Sequence, residues 1–113
     1  MKGYRLGELE ELILLTVGIL DQDAYGVAIL EEIKNQTGRK VNISAIHTVL
    51  NRLEEKGFLK SYMGGATEER GGRRKRLFTI SATGRAAIQE VKTLRNKLYD
   101  QIPPLALDFS YGQ

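Results

Sequence analysis

The apolar positions of this chain follow a helical rhythm three times, change to short alternating runs, and end in one long helical stripe. From Glu8 to Leu20 strong helix formers follow three early glutamates, an order that suits the positive end of a helix dipole. Leu12, Ile13, Leu14 and Leu15 point around most of that helix, so it is expected to be covered on more than one side, by its own core and by a partner subunit. After Asp21-Gln22-Asp23 a second helix is predicted over Ala24 to Gln36, with Tyr25, Ile29 and Ile33 four residues apart. Gly38, which accepts a left-handed backbone, ends it. Asn42 then offers its side-chain oxygen as an N-cap, opening a third helix that runs to Gly57. Ile46, Val49, Leu50 and Leu53 share one face of this helix, and Ser44, His47, Thr48, Asn51 and Glu55 the other.

Beyond Gly57 the rhythm shortens. Phe58 to Met63 and Arg76 to Ile80 read as the two strands of a hairpin, joined by a long glycine-rich basic connection from Gly64 to Lys75. Ser81 caps a last helix, on which Ala87, Val91, Leu94, Leu98 and Ile102 form a coiled-coil-like stripe; Pro103 and Pro104 end it. The fold class is therefore mainly α (α+β), in the element order of a winged helix-turn-helix with a two-stranded wing. One domain is expected, with residues 1–80 forming the winged helix-turn-helix, 81–102 a C-terminal dimerisation helix, and 103–113 a tail without clear periodicity.

Composition narrows the functional classes. At 113 residues and 42% apolar content the chain can fill a core, although a domain this small is often helped by oligomerisation. Without cysteine there is no disulfide or thiolate chemistry, and a single histidine, His47, cannot build a multi-histidine metal site, so no cofactor is expected. The longest apolar segment, Leu9 to Leu20, is too short for a membrane span, and the glutamates that follow the basic start interrupt any signal-peptide pattern; a cytoplasmic setting fits. No nucleophile–base pair or phosphate-loop motif is present, which argues against an enzyme.

The net charge of +3 says little, but its distribution says more. Through Gly57 there are seven Lys/Arg against nine Asp/Glu, and from Phe58 onward ten against five. Arg70, Arg73, Arg74, Lys75 and Arg76 lie within seven positions. Such a run is either a solvated loop or a phosphate-binding segment. Here it follows a helix whose outer face is small and polar, and one module accounts for both: a recognition helix in the major groove of double-stranded DNA and a wing on the backbone or in the minor groove. The DNA-contact candidates are Tyr25, Asn42, Ser44, His47, Thr48, Asn51, Arg52, Arg70, Arg73, Arg74 and Lys75. Arg76, nearer the strand, is a candidate for a structural ion pair, while Arg52 suits a phosphate contact and an intramolecular pair equally. Dimer-contact candidates are Leu9, Leu12, Val91, Leu94, Leu98 and Ile102, because the stripe extends beyond what three short helices can cover. The alternative is a winged-helix protein–protein interaction module that binds no DNA.

Five stretches, in order, also resemble the PadR-like transcription regulators: Leu9 to Leu14, Ala24 to Leu30, Leu50 to Gly57, Glu69 to Arg76, and Thr79 to Gly84. What the resemblance implies is a homodimeric regulator, usually a repressor, whose last helix supplies much of the dimer contact; a dimer with two equivalent third helices is in turn expected to bind a pseudo-palindromic operator. His47 stands where that family more often has tyrosine, and Leu77-Phe78 where it often has a tyrosine pair. Some relatives release DNA when a small aromatic or drug-like effector binds near the dimer interface. This chain has no tryptophan to line such a pocket, so an effector stays open.

Overall fold

The computed structural model describes residues 6–66 and 74–104. Helices α1 (Glu8–Leu20), α2 (Gly26–Thr37) and α3 (Ile43–Glu55) pack on one another; strands β1 (Leu59–Ala66) and β2 (Arg74–Ile80) follow, and helix α4 (Ala82–Tyr99) closes the order. Among the described residues no single helix is long and apolar enough to cross a membrane.

The apolar rhythms of the sequence become one core. Ile13, Leu14 and Val17 of α1, Ile29 and Ile33 of α2, and Ile46, Leu50 and Leu53 of α3 are buried together. Val49 of α3, Ala24 between α1 and α2, Phe58, Leu59 and Phe78 from the wing base and Ala87 from α4 complete this cluster. Burying a side chain such as Phe78 contributes roughly 2 to 3 kcal/mol, so the wing base is held chiefly by packing. Asn42 caps α3 as expected, its Oδ1 accepting from the Ala45 N–H at 2.8 Å. Gly38 ends α2 with a φ of 74°.

Several boundaries differ from the expectation: α3 ends at Glu55 and not Gly57, and α4 stops at Tyr99 with Asp100 as its C-cap, so Ile102 lies beyond the helix. Helix α2 begins at Gly26, with Tyr25 as its N-cap residue, because the Ala24 carbonyl accepts from the Phe78 N–H at 2.9 Å. That bond ties β2 to the α1–α2 joint, a contact between distant parts of the chain that local periodicity cannot reveal. The strands are also longer than predicted. They pair antiparallel from Leu59 with Ile80 to Met63 with Arg76, and a register shift precedes the last pair, Ala66 with Arg74. Arg74 and Lys75 thus belong to β2 and not to the connecting loop; their charges hid a strand whose burial alternates.

The α4 N-terminus is clamped to the wing base. Ser81 Oγ accepts from the Gly84 N–H at 3.0 Å and donates to the Gly57 carbonyl at 2.5 Å. The Ser81 N–H donates to the Phe58 carbonyl at 3.0 Å. The helix and the residue that leads into β1 approach so closely that a Cβ on Gly84 would lie 2.1 Å from the Phe58 carbonyl oxygen. Further along, Arg95 pairs with Glu11 at 3.2 Å, tying α4 to α1.

Candidate nucleic-acid interface

The start of α2, the outer face of α3 and the base of β2 converge on one surface. Tyr25, Gly26, Val27, His47, Arg76 and Phe78 line a shallow cavity of about 110 Å³ there. Gly26 lies against the His47 ring, where an added Cβ would sit 2.8 Å from Cε1. The α2 N-terminus is thereby held beside the middle of α3, placing the positive end of its dipole on this surface.

Along α3 the row Ile43, His47, Asn51 and the adjoining Ser44 and Thr48 are exposed. Their polar atoms can pair with base edges or phosphate oxygens. Ile43, 37% exposed, was not among the sequence candidates. The signal was available: it stands four positions before His47, one helical turn along the same row. Val27, also exposed, is an apolar side chain in the lining of the cavity.

The remaining candidates are placed unevenly. Asn42 is exposed, but its Oδ1 serves the helix cap. Arg52 is exposed, and its charge contributes to lowering the Glu10 pKa. Lys75 reaches over the half-buried Tyr25 ring, with Nζ 4.4 Å from its centre, a cation–π contact that leaves the ammonium at the same surface. Arg74 turns back on β1: its Nε and Nη2 donate to the Gly64 and Met63 carbonyls at 3.0 and 3.2 Å. Arg76 makes the structural pair considered for it, with Glu54 on α3, and also donates to Asn51. Arg70 and Arg73 lie outside the described residues. Among the described residues no group of three or more His, Cys, Asp or Glu side chains is placed to hold a metal.

The dimer candidates divide in the same way. Leu9 and Leu12 are partly buried against the core, and Val91 is half-buried. Leu94 and Leu98 are 47% and 56% exposed, and Ile102 is exposed as well. From Lys92 to Tyr99 every residue of α4 is exposed. Leu15 and Ile19 of α1, absent from the candidates, are exposed too. A hollow of about 270 Å³ lined by Leu6, Glu11, Val91, Leu94, Arg95 and Leu98 separates α1 from the stripe.

A three-helix core, a hairpin packed against its third helix and a polar outer face on that helix define a winged helix-turn-helix protein. The model of the transcriptional regulator PadR-like family matches residues 14–90. An uncharacterised protein of Lysinibacillus sphaericus is 34% identical over 87 residues, which cover 75% of each chain. The chain belongs to the PadR-like family and is a transcriptional regulator. Solved structures agree on the fold: a PadR family regulator from Eggerthella lenta superposes with a TM-score of 0.65 at 23% identity, over 82% of this chain and 80% of that one. Bacillus subtilis PadR, solved in complex with operator DNA, superposes with a TM-score of 0.59 at 21% identity, over 73% of this chain and 46% of that one.

Proposed function

We propose that this regulator is a repressor that binds a pseudo-palindromic operator as a homodimer. Helix α3 enters the major groove, with Ser44, His47, Thr48 and Asn51 towards the base edges and Ile43 and Val27 placed for apolar contact with thymine methyl groups. Tyr25, Arg52 and Lys75, together with Arg70 and Arg73 of the wing loop, face phosphates, and the wing follows the backbone or minor groove. The observation that carries this reading is the convergence of an exposed polar helix face, a helix N-terminus and the base of a basic wing on one side of the fold. The operator complex of the Bacillus subtilis relative supports it. The α4 stripe, continued by Leu15 and Ile19 on α1, supplies the dimer surface, since it has large apolar side chains exposed to solvent.

Random-sequence duplex selection followed by salt titration tests the DNA-binding reading. The expected result is a selected duplex bound far more tightly than a scrambled one, with affinity falling steeply as salt rises. Equal, salt-insensitive affinity for both would instead favour a protein–protein interaction module.

A further inference from the structure

Arg76 faces the helix that carries the candidate base readers, and it is held from several sides. Its Nη1 donates to Asn51 Oδ1 at 3.3 Å, while Nη2 pairs with Glu54 Oε1. The other Glu54 oxygen accepts from Ser61 Oγ on β1 at 2.7 Å. The guanidinium carbon lies 4.9 Å from the centre of the Phe78 ring, and Phe78 is itself buried and bonded through its backbone to Ala24. Helix α3 and both strands of the wing therefore fix the position of this one side chain.

A guanidinium offers donors and no acceptor. Only the oxygen of the Asn51 amide can face it, because the flipped amide would press its NH₂ group against a cation. Asn51 is exposed, and its Nδ2 is the polar group left to turn away from the wing.

We propose that Arg76 is a positioning residue that makes Asn51 a donor-only reader, so that the base edge beneath Asn51 in each half-site is guanine and not adenine. The inference rests on the DNA-binding reading above. Pairing with adenine needs the amide oxygen to accept from the N6 amino group while the amide nitrogen donates to N7. With the oxygen engaged by Arg76, that two-bond contact is lost. Guanine presents two acceptors, O6 and N7, and both can be satisfied by the NH₂ group alone.

The test uses the full chain and the duplex it selects. The operator position whose discrimination is lost in Asn51→Ala is substituted with all four base pairs. Wild type is expected to prefer guanine over adenine there by about tenfold, within the range of a good base contact. Arg76→Met keeps an aliphatic stem over Phe78 but no donors, so the preference should fall to about twofold or less, or move to adenine, while the salt slope stays unchanged. Because that variant also leaves Glu54 without its cation, a second variant guards against simple unfolding. Asn51→Asp is nearly isosteric, retains the Arg76 contact and turns an acceptor outward, which should move the preference to cytosine with its amino group. Thermal unfolding of both variants accompanies the binding series.

The proposal is overturned by adenine preference in the wild type, by guanine preference retained in Asn51→Asp, or by no position responding to Asn51→Ala. It is equally overturned if Arg76→Met weakens all four duplexes alike and lowers the salt slope by about 1.8, the mark of one lost phosphate contact per subunit. Failure of the DNA-binding reading itself looks different: the wild type then binds selected and scrambled duplexes alike, before any variant is compared.

Discussion

Glu10 sits at the first turn of α1, only 5% exposed, accepting from the Gly7 N–H at 2.7 Å and from Lys56 Nζ at 2.8 Å. Burial by itself would raise its pKa, but the Lys56 hydrogen bond, the Gly7 N–H and the charges of Lys56 and Arg52 together hold it below the ordinary 4.5. The folded carboxyl thus binds its proton less readily than the unfolded one. Its contribution to stability is full above about pH 4.5 and drains away as pH falls through the lower folded value. Glu10→Gln should cost about 1 to 2 kcal/mol at neutral pH and flatten the acid limb of a denaturation series measured from pH 6 to 3. Gly84 makes a sharper case. A methyl group there meets backbone and not a flexible side chain, so Gly84→Ala should destabilise by about 3 kcal/mol, read as a lowered denaturation midpoint. Both residues stood in stretches singled out from the sequence, yet neither role was legible there. The partners, Lys56 for Glu10 and the Phe58 carbonyl for Gly84, are distant in the chain and depend on how elements pack.

Helices were legible where local chemistry marks their ends: Asn42 and Ser81 supply caps, and Gly38 a left-handed stop. The wing was legible as a hairpin but not in extent, because charged Arg74 and Lys75 interrupt the apolar alternation that announces a strand. Their placement in β2 separates two cations that looked equivalent in sequence. Lys75 points its ammonium over Tyr25 at the candidate interface, whereas Arg74 is bonded to β1 carbonyls beside the register shift. Lys75→Ala should therefore remove one phosphate contact per subunit and reduce the slope of log affinity against log salt by about 1.8 for a dimer. Arg74→Ala should change that slope much less and act mainly by loosening the wing. Salt titrations of the two variants compare them directly; a larger slope change for Arg74→Ala would reverse this assignment.

On the scale of the whole molecule, the core accounts for three helices, the wing base and the first half of α4, and leaves the second half of α4 uncovered. The sequence stripe from Ala87 to Ile102 therefore divides at Val91 into a part that packs within the chain and a part that faces solvent. Leu94→Glu combined with Leu98→Glu should leave the fold intact, since neither side chain is in the core, but give monomers in sedimentation and weaken operator binding. An unchanged oligomer would remove the stripe from the interface. The central claim, two α3 helices presented by a symmetric dimer to one operator, is tested most directly by hydroxyl-radical footprinting of the selected duplex. The account predicts two protected half-sites in inverted symmetry, with centres one helical turn apart, ~34 Å, or a multiple of it. A single continuous patch without inverted symmetry would contradict it.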